Sequence, residues 1–272
     1  MAILRAVCIL TIFFLLTLPG MLVQLVVSKV WPHWSLTLPH WYHRLLCRLL
    51  GVHIHLDGEL VSGGPVLLIA NHVSWLDIPV ISAVAPVSFI AKKDVVRWPF
   101  VSWLAWLQRT IFIDRESRGA VLQATRDILA RLNAGDNIVL FAEGTSSDGN
   151  RVLPFHSSLF AAARPTGNST GGHEKQIYAQ TLAFAYTHLH GLPLGRLKRP
   201  LVAWYGDMAL ASHVWTLLMR GPVDVHMRIG PPVRLNRFAD RKDLANFSEE
   251  QVRRSVVELL LAREAGADMR VG

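Results

Sequence analysis

Residues 65–77 read Pro-Val-Leu-Leu-Ile-Ala-Asn-His-Val-Ser-Trp-Leu-Asp, and the fold can be inferred outward from this stretch. Its first six residues form a continuous apolar run of the length that a strand buried on both faces requires. The run stops abruptly at Asn71 and His72, as a strand does at the edge of a sheet. Three further apolar runs of similar length follow along the chain, at residues 87–91, 110–113 and 137–141.

Helical patterns alternate with these runs, which is typical of α/β proteins. Between the last two runs, Ser117 can cap a helix that Gly135 ends, and apolar residues recur within it at a helical period. The sequence therefore predicts an α/β fold with a largely parallel sheet flanked by helices. It also predicts strands at 177–186 and 223–229, a last helix starting at the capping box of residues 248–251, and a mobile loop at residues 165–172.

The N-terminal segment carries no charge over the 23 residues from position 6 to position 28. As a helix these residues would extend about 35 Å, which is enough to cross the hydrocarbon core of a bilayer. The alternative, a secretory signal, has a shorter apolar core and a small-residue cleavage site. We therefore expect a retained N-terminal membrane-anchoring helical segment.

Residues 39–50 favour a second, interfacial helix, because apolar residues recur there at helical spacing. An ordinary amphipathic core helix has the same pattern, but the neighbouring apolar segment favours the interfacial interpretation. The sequence thus divides into a membrane anchor with its interfacial helix, residues 1–50, and an α/β domain, residues 51–272. The side chains expected to face lipid headgroups are His40, His43, Arg44 and Arg48.

Positive charges indicate the orientation and the partners of the chain. Lys29, Arg44 and Arg48 follow the apolar segment and only Arg5 precedes it, which predicts that the domain lies on the cytosolic side of the inner (cytoplasmic) membrane. The chain has 28 Lys and Arg against 20 Asp and Glu, a net charge of +8. With 51% hydrophobic and 18% charged residues it is not an extended disordered protein. The basic excess favours an anionic membrane surface as partner, and no nucleic acid is expected because no motif for it is present.

Polar residues follow each of the four apolar runs. Because the carboxyl ends of parallel strands meet at one edge of a sheet, where open α/β sheets bind ligands, these groups are expected to converge there. They are Asn71-His72, Lys92-Lys93-Asp94, Asp114-Arg115 and Glu143-Gly144-Thr145.

His72 and Asp77 form the most informative pair. A turn from strand to helix after His72 would place Asp77 in the first helical turns, from where its carboxylate can reach the imidazole. Such an Asp fixes the tautomer of the His and leaves the other ring nitrogen as a general base. Spacing alone favours a His that caps a helix or packs in the core.

Several classes of enzyme are disfavoured because their motifs are missing. The chain has no Gly-x-Ser-x-Gly elbow, Walker loop, Gly-x-Gly-x-x-Gly or His-Glu-x-x-His. Its two cysteines, Cys8 and Cys47, cannot make a disulfide framework or a four-ligand zinc site. A serine hydrolase, a P-loop enzyme, a dinucleotide oxidoreductase and a zincin are thus unsupported, and no metal is expected.

Three ordered blocks carry a resemblance to the glycerolipid acyltransferases of the 1-acyl-glycerol-3-phosphate acyltransferase family. They are Asn71-His72-x4-Asp77, Phe112-Ile113-Asp114-Arg115 and Glu143-Gly144-Thr145, and the resemblance extends over residues 50–235 or so. It implies that His72 deprotonates the acceptor hydroxyl, that Asp77 orients His72, and that the hydroxyl attacks an acyl thioester directly. It also implies substrate-binding positions at Asn71, Arg115, Glu143, Gly144, Thr145 and Ser146.

The chain departs from the family pattern at two positions. Arg109 stands where the second block often has Gly, and Ser146 stands where the third block usually has Arg. Loss of that guanidinium removes a bidentate phosphate contact. The longer third block, which continues to Phe155, is most similar to the lyso-ornithine lipid O-acyltransferase branch, whose acceptor headgroup has an amine and no phosphate. Asp148 or Asp207 could contact that amine.

The resemblance implies a membrane-attached O-acyltransferase that esterifies a lysolipid hydroxyl. The donor is expected to be an acyl carrier protein or coenzyme A thioester, with no further cofactor. Lyso-ornithine lipid is the favoured acceptor and lysophosphatidic acid (1-acyl-sn-glycerol-3-phosphate) the alternative. Two other functions remain open at this stage: a non-catalytic lipid-binding membrane adaptor, and a hydrolase in which His72 activates water.

Overall fold

The computed structural model describes residues 1–114, 118–163 and 176–262. Its helices are α1 (Ala2–Val30), α2 (Thr37–Leu50), α3 (Asp77–Val84), α4 (Val101–Leu107), α5 (Arg118–Ala134), α6 (Leu210–Arg220) and α7 (Arg241–Ala262). Its strands are β1 (Val52–Asp57), β2 (Val66–Ala70), β3 (Ser88–Lys92), β4 (Ile111–Ile113), β5 (Ile138–Phe141), β6 (Tyr178–Leu189), β7 (Leu192–Pro193), β8 (Val223–Ile229) and β9 (Val233–Arg234). Short 3-10 turns include Pro32–Trp34 and Lys93–Arg97.

The strands form one mixed sheet in the order β1-β8-β6-β2-β5-β3-β4. The five strands from β6 to β4 all pair in parallel, and β1 pairs in parallel with β8. The β6–β8 pair is antiparallel, as are the short strands β7 and β9 that join β6. The predicted α/β fold with a largely parallel sheet is thus confirmed, and β2 lies centrally between β5 and β6.

Two apolar layers cover the sheet. One face packs under α5 and α7, around Ile128, Leu132 and Val256. The opposite face packs under α2 and α3, around Cys47, Val80 and Ile81. The central strand β2 is buried along its whole length, as its continuous apolar sequence predicts.

The predicted strands agree with the structure to within a few residues, whereas the last helix does not. Helix α7 begins at Arg241, so Ser248 is a buried interior residue and the capping box predicted there is wrong. The real cap is Asp240, whose carboxylate accepts the backbone N–H groups of Lys242 and Asp243 at 2.7 and 2.9 Å. The predicted cap Ser117 and the predicted loop 165–172 lie outside the described residues.

Helix α1 lies against the rest of the protein along most of its length. Arg5 donates to the backbone carbonyls of Leu50, at 2.9 Å, and of Leu218. Nineteen residues further on, Gln24 donates to the carbonyls of Ser35 and Leu107 at 2.7 and 2.9 Å. Within the described residues α1 is the one helix long and apolar enough to cross a membrane.

Helix α2 has its histidines on the opposite side from the one expected. His40 and His43 contact Ser82 of α3 through ring nitrogens at 2.7 and 2.9 Å, so they do not face headgroups. Burial lowers the pKa of His43 to about 3, which keeps it neutral. Arg44 remains exposed, with its guanidinium 5.0 Å from the ring centre of Trp41, and Arg48 is exposed on the same side.

Candidate active site

The centre of the site is the loop between β2 and α3, and the carboxylate of Asp77 organises it. Asp77 is the first residue of α3 and is fully buried. Its Oδ2 accepts the backbone N–H groups of Val73 and Ser74 at 2.7 and 2.9 Å. The same oxygen lies 2.7 Å from Nδ1 of His72. The predicted contact between His72 and Asp77 is therefore present in the structure.

His72 is held by its surroundings as well as by Asp77. The ring of Phe141, the last residue of β5, stacks on the imidazole with 4.1 Å between ring centres. The His72 side chain retains 19% exposure although Asp77 has none. With Nδ1 donating to Asp77, Nε2 is the nitrogen that can take a proton from an arriving hydroxyl.

Tyr186 of β6 is part of the site and was not predicted. Its hydroxyl donates to the second oxygen of Asp77, Oδ1, at 2.7 Å. Burial raises the pKa of Tyr186 well above its usual range, and the negative charge of Asp77 adds to this effect, so the phenol remains a donor. The sequence gives no local signal for this contact, because Tyr186 lies 109 positions from Asp77.

Glu143, predicted to bind substrate, joins two backbone segments. One carboxylate oxygen accepts the N–H of His72 and the other accepts the N–H of Leu153, both at 2.8 Å. Burial raises the pKa of Glu143 to about 8, against the opposing effect of these two hydrogen bonds. A direct contact between Glu143 and the acceptor stays a prediction.

Asn71 is fixed in a similar way. It is buried, and its carboxamide donates to the carbonyl of Phe184 and accepts the N–H of Phe184, both at 3.0 Å. The loop between β2 and α3, residues 71–76, is called the catalytic loop. The two hydrogen bonds of Asn71 attach the start of this loop to β6. Binding of substrate by Asn71 also stays a prediction.

The segment after Glu143 forms one wall beside the catalytic loop. Gly144 has a φ of 70°, a left-handed conformation that glycine adopts without strain. Thr145 is exposed, and the hydroxyl of Ser146 donates to the carbonyl of Trp204. The N–H of Trp204 donates in turn to the carbonyl of Val73 at 2.9 Å, which places Ser146 close to the loop of His72.

Three further cations of the sequence analysis, Arg115, Lys93 and Arg109, differ in their positions. Arg115 lies outside the described residues, but the neighbouring Asp114 pairs with Lys93 at 3.2 Å, which brings the ends of β3 and β4 together at the predicted edge. Arg109 has a φ of 59° and pairs with Asp136 at 2.8 Å. It therefore adopts the backbone conformation that suits the family's glycine, and its guanidinium is directed toward the amino end of β5.

Among the residues that the structure describes, no group of three or more His, Cys, Asp or Glu side chains is placed to hold a metal ion. The groups that converge at this edge are a positioned imidazole, a buried carboxylate and loop hydroxyls.

Comparison with known proteins places this site within a family. The acyltransferase family model matches residues 51–184, which include the catalytic loop and Glu143. A lyso-ornithine lipid O-acyltransferase of Brucella abortus is 48% identical over 85% of this chain and 86% of its own length. A second one, from Rhizobium meliloti, is 42% identical over 85% and 78%.

More distant relatives act on a different lipid. A 1-acyl-sn-glycerol-3-phosphate acyltransferase of Neisseria meningitidis is 31% identical over 76% of this chain and 78% of its own length. The crystal structure of the 1-acyl-sn-glycerophosphate acyltransferase of Thermotoga maritima matches with a TM-score of 0.66 at 22% identity, over 95% of this chain and 98% of that one. The chain belongs to the acyltransferase family that includes these lyso-ornithine lipid and 1-acyl-sn-glycerol-3-phosphate enzymes.

Proposed function

We propose that the protein is a membrane-attached lysolipid O-acyltransferase whose acceptor is lyso-ornithine lipid. The observation that carries the chemistry is the 2.7 Å contact between His72 Nδ1 and a buried Asp77 that makes three further hydrogen bonds. The acceptor follows from the 48% and 42% identical relatives that bear this name.

In the proposed reaction the acceptor hydroxyl attacks the carbonyl carbon of an acyl thioester. His72 Nε2 takes the hydroxyl proton as the new C–O bond forms, and Asp77 stabilises the resulting imidazolium. The C–S bond then breaks, and the proton passes from His72 to the departing thiolate. The products are the ester and a free thiol, and no acyl-enzyme intermediate is needed.

Ser146 supports an acceptor without phosphate. Its hydroxyl is engaged with the carbonyl of Trp204, so this position offers no cation for a phosphate group. Of the two candidate partners for an ornithine amine, Asp148 accepts hydrogen bonds from Asn150 within its own turn, whereas Asp207 is exposed on the loop that follows Trp204. We favour Asp207 as the contact to the amine. The 1-acyl-sn-glycerol-3-phosphate acyltransferase activity remains the alternative.

The acyl donor is proposed to be an acyl carrier protein or coenzyme A thioester. Both donors are acidic, and the chain has a net charge of +8. Lys92 and Arg97 are exposed close to the carboxyl edge of the sheet, where a thioester must arrive.

We also propose that α1 attaches the protein to the inner membrane by lying in one leaflet, with the catalytic edge on the cytosolic side. Arg5 and Gln24 are about 28 Å apart along the helix, at 1.5 Å per residue, and both bind backbone carbonyls of the rest of the chain. A helix held at both ends cannot cross the bilayer unless its partners enter with it. The exposed cations Lys29, Arg44 and Arg48 support the cytosolic side, because the cytoplasmic leaflet carries the anionic surface that attracts them.

The decisive test is an acyl-transfer assay of the purified protein in detergent, with lyso-ornithine lipid or lysophosphatidic acid and with both thioesters. Esterification of lyso-ornithine lipid should dominate, and His72→Ala should lose about 10²–10⁴-fold in rate. His53→Ala is the matched control, because His53 is exposed on the edge strand β1.

Three results would contradict this function. Near-normal turnover by a folded His72→Ala variant would remove the proposed base. Lipid binding without transfer would indicate a membrane adaptor, and release of free fatty acid without an acceptor would indicate a hydrolase.

A further inference from the structure

Exposed tryptophans are concentrated on elements that pack around α1. Trp31 directly follows α1, Trp34 ends the next 3-10 turn, and Trp41 lies on α2. Trp103 and Trp106 lie on α4. Each of these five side chains is more than half exposed. Exposed tryptophan is uncommon on a water-facing surface and is typical of a membrane–water interface.

Helix α4 is held firmly against α1. Gln24 of α1 donates to the carbonyl of Leu107, the last residue of α4, at 2.9 Å. At the other end of α4, the ring of Phe100 contacts Phe13 and Phe14 of α1, with ring centres 6.2 and 5.7 Å apart. Both ends of the short helix are therefore packed against α1.

The tryptophans of α4 face away from the protein. Trp103 and Trp106 are three residues apart, so they share one side of the helix. They are 68% and 60% exposed, and Val96 in the preceding turn is 50% exposed. This apolar surface continues that of α1, where Phe14 and Leu15 are also exposed.

Positive charge borders this surface. Three exposed cations, Lys92 at the end of β3 and Lys93 and Arg97 in the turn that precedes α4, stand against the single acid Asp94. Lys93 is paired with Asp114, and Lys92 and Arg97 add the charge complementary to anionic headgroups. An apolar aromatic surface edged by cations matches a lipid surface better than it matches a protein partner.

We propose that α4 is a membrane-contacting element whose Trp103 and Trp106 enter the headgroup region next to α1. This rests on the proposed membrane attachment and extends it from the N-terminal helices into the catalytic domain. Because α4 connects the turn after β3 to β4, lipid contact there holds the carboxyl edge of the sheet at the membrane. A lysolipid can then reach His72 without leaving the lipid surface.

The test is vesicle co-sedimentation of the full chain, with phosphatidylcholine vesicles with and without phosphatidylglycerol. The double variant Trp103→Ser, Trp106→Ser should partition at least about tenfold more weakly than the wild type, because two large apolar side chains are lost. Trp103→Phe, Trp106→Phe should retain most of the binding. The matched control Leu122→Ser, Leu261→Ser removes two similarly exposed side chains from α5 and α7, on the opposite face of the sheet, and should bind like the wild type.

Two failures are distinguishable. If the wild type binds vesicles and the folded Trp→Ser variant binds equally well, the role of α4 is overturned and the attachment through α1 stands. If the wild type itself does not bind, the proposed attachment is overturned together with it. Quenching by brominated lipids gives a second readout, since the wild type should lose more tryptophan fluorescence than the Trp→Ser variant, and equal losses would also overturn the proposal.

Discussion

Replacing Tyr186 by Phe removes one hydroxyl and tests how the catalytic pair is held. That hydroxyl donates to Asp77 Oδ1 at 2.7 Å, while Oδ2 keeps its contacts with His72 and two backbone amides. A hydrogen bond to a charged group contributes about 1.5–3 kcal/mol, so the variant should lose stability of that order. Asp77 should then interact more strongly with the imidazolium of His72.

This second effect distinguishes a Tyr186 that positions the His72–Asp77 pair from a Tyr186 that only stabilises the fold. If about half of the lost hydrogen-bond energy reappears in the His72–Asp77 pair, the acid limb of the kcat/KM profile should move to higher pH by about half to one unit, at 1.36 kcal/mol per unit. The assay is the pH dependence of acyl transfer by wild type and variant at saturating donor.

The matched control is Tyr42→Phe, which removes a hydroxyl that lies 2.6 Å from the hydroxyl of Thr17 and makes no contact with Asp77 or His72 among the described hydrogen bonds. Tyr42→Phe should lower the free energy of unfolding without moving the acid limb of the kcat/KM profile. A Tyr186→Phe enzyme with reduced stability and an unmoved limb would refute the reasoning, because Tyr186 would then support only the fold.

Two further predictions concern the loop of Glu143. Ser146→Arg should raise kcat/KM for lysophosphatidic acid relative to lyso-ornithine lipid by about 10- to 100-fold, because one charge-assisted hydrogen bond of about 1.5–3 kcal/mol is restored. An unchanged ratio in a folded, active variant would show that this position does not select the acceptor. Burial gives Glu143 a folded-state pKa of about 8 against 4.5 for an unperturbed Glu, so the stability that its proton contributes is present below pH 4.5 and is lost as the pH rises through 8. The wild type should therefore lose stability relative to Glu143→Gln over that interval in urea unfolding, and parallel stability curves would contradict the raised pKa.

The sheet and the position of the site could be predicted from local sequence. Four short apolar runs, each followed by polar residues, require buried strands with their polar ends at one edge, and the observed parallel pairing brings those ends together. The contact between His72 and Asp77 was predictable for the same reason, since both residues lie on one strand–helix connection. Because His72 and Asp77 are five positions apart, their spacing alone indicates that the two side chains can meet.

Features that depend on distant partners were not predictable. His43 was expected to face lipid, and it faces Ser82 because α2 packs on α3. The edge strand β1 alternates polar histidines with apolar residues, and among the described strands it pairs with β8 alone, so its apolar signal is weak. The start of α7 was misplaced because Ser248-Glu249-Glu250 imitates a cap, whereas Asp240 provides the real one.

The catalytic loop owes its geometry to the two strands that flank β2. On one side, β6 binds Asn71 through the backbone of Phe184 and Asp77 through the side chain of Tyr186. These two β6 residues are about 7 Å apart along the strand, so they fix both ends of the loop on one rigid element.

On the other side, β5 leads into Glu143, which accepts the backbone N–H of His72 directly after Asn71. Phe141, the last residue of β5, stacks on the imidazole. The imidazole is therefore oriented from both neighbouring strands before any substrate arrives. Such preorganisation is what a general base needs, because a displacement of about 1 Å at the reacting atoms can cost on the order of 10²-fold in rate. It follows that substitutions in β6, a strand outside the three blocks quoted above, should also impair turnover, by displacing the imidazole and not by removing it.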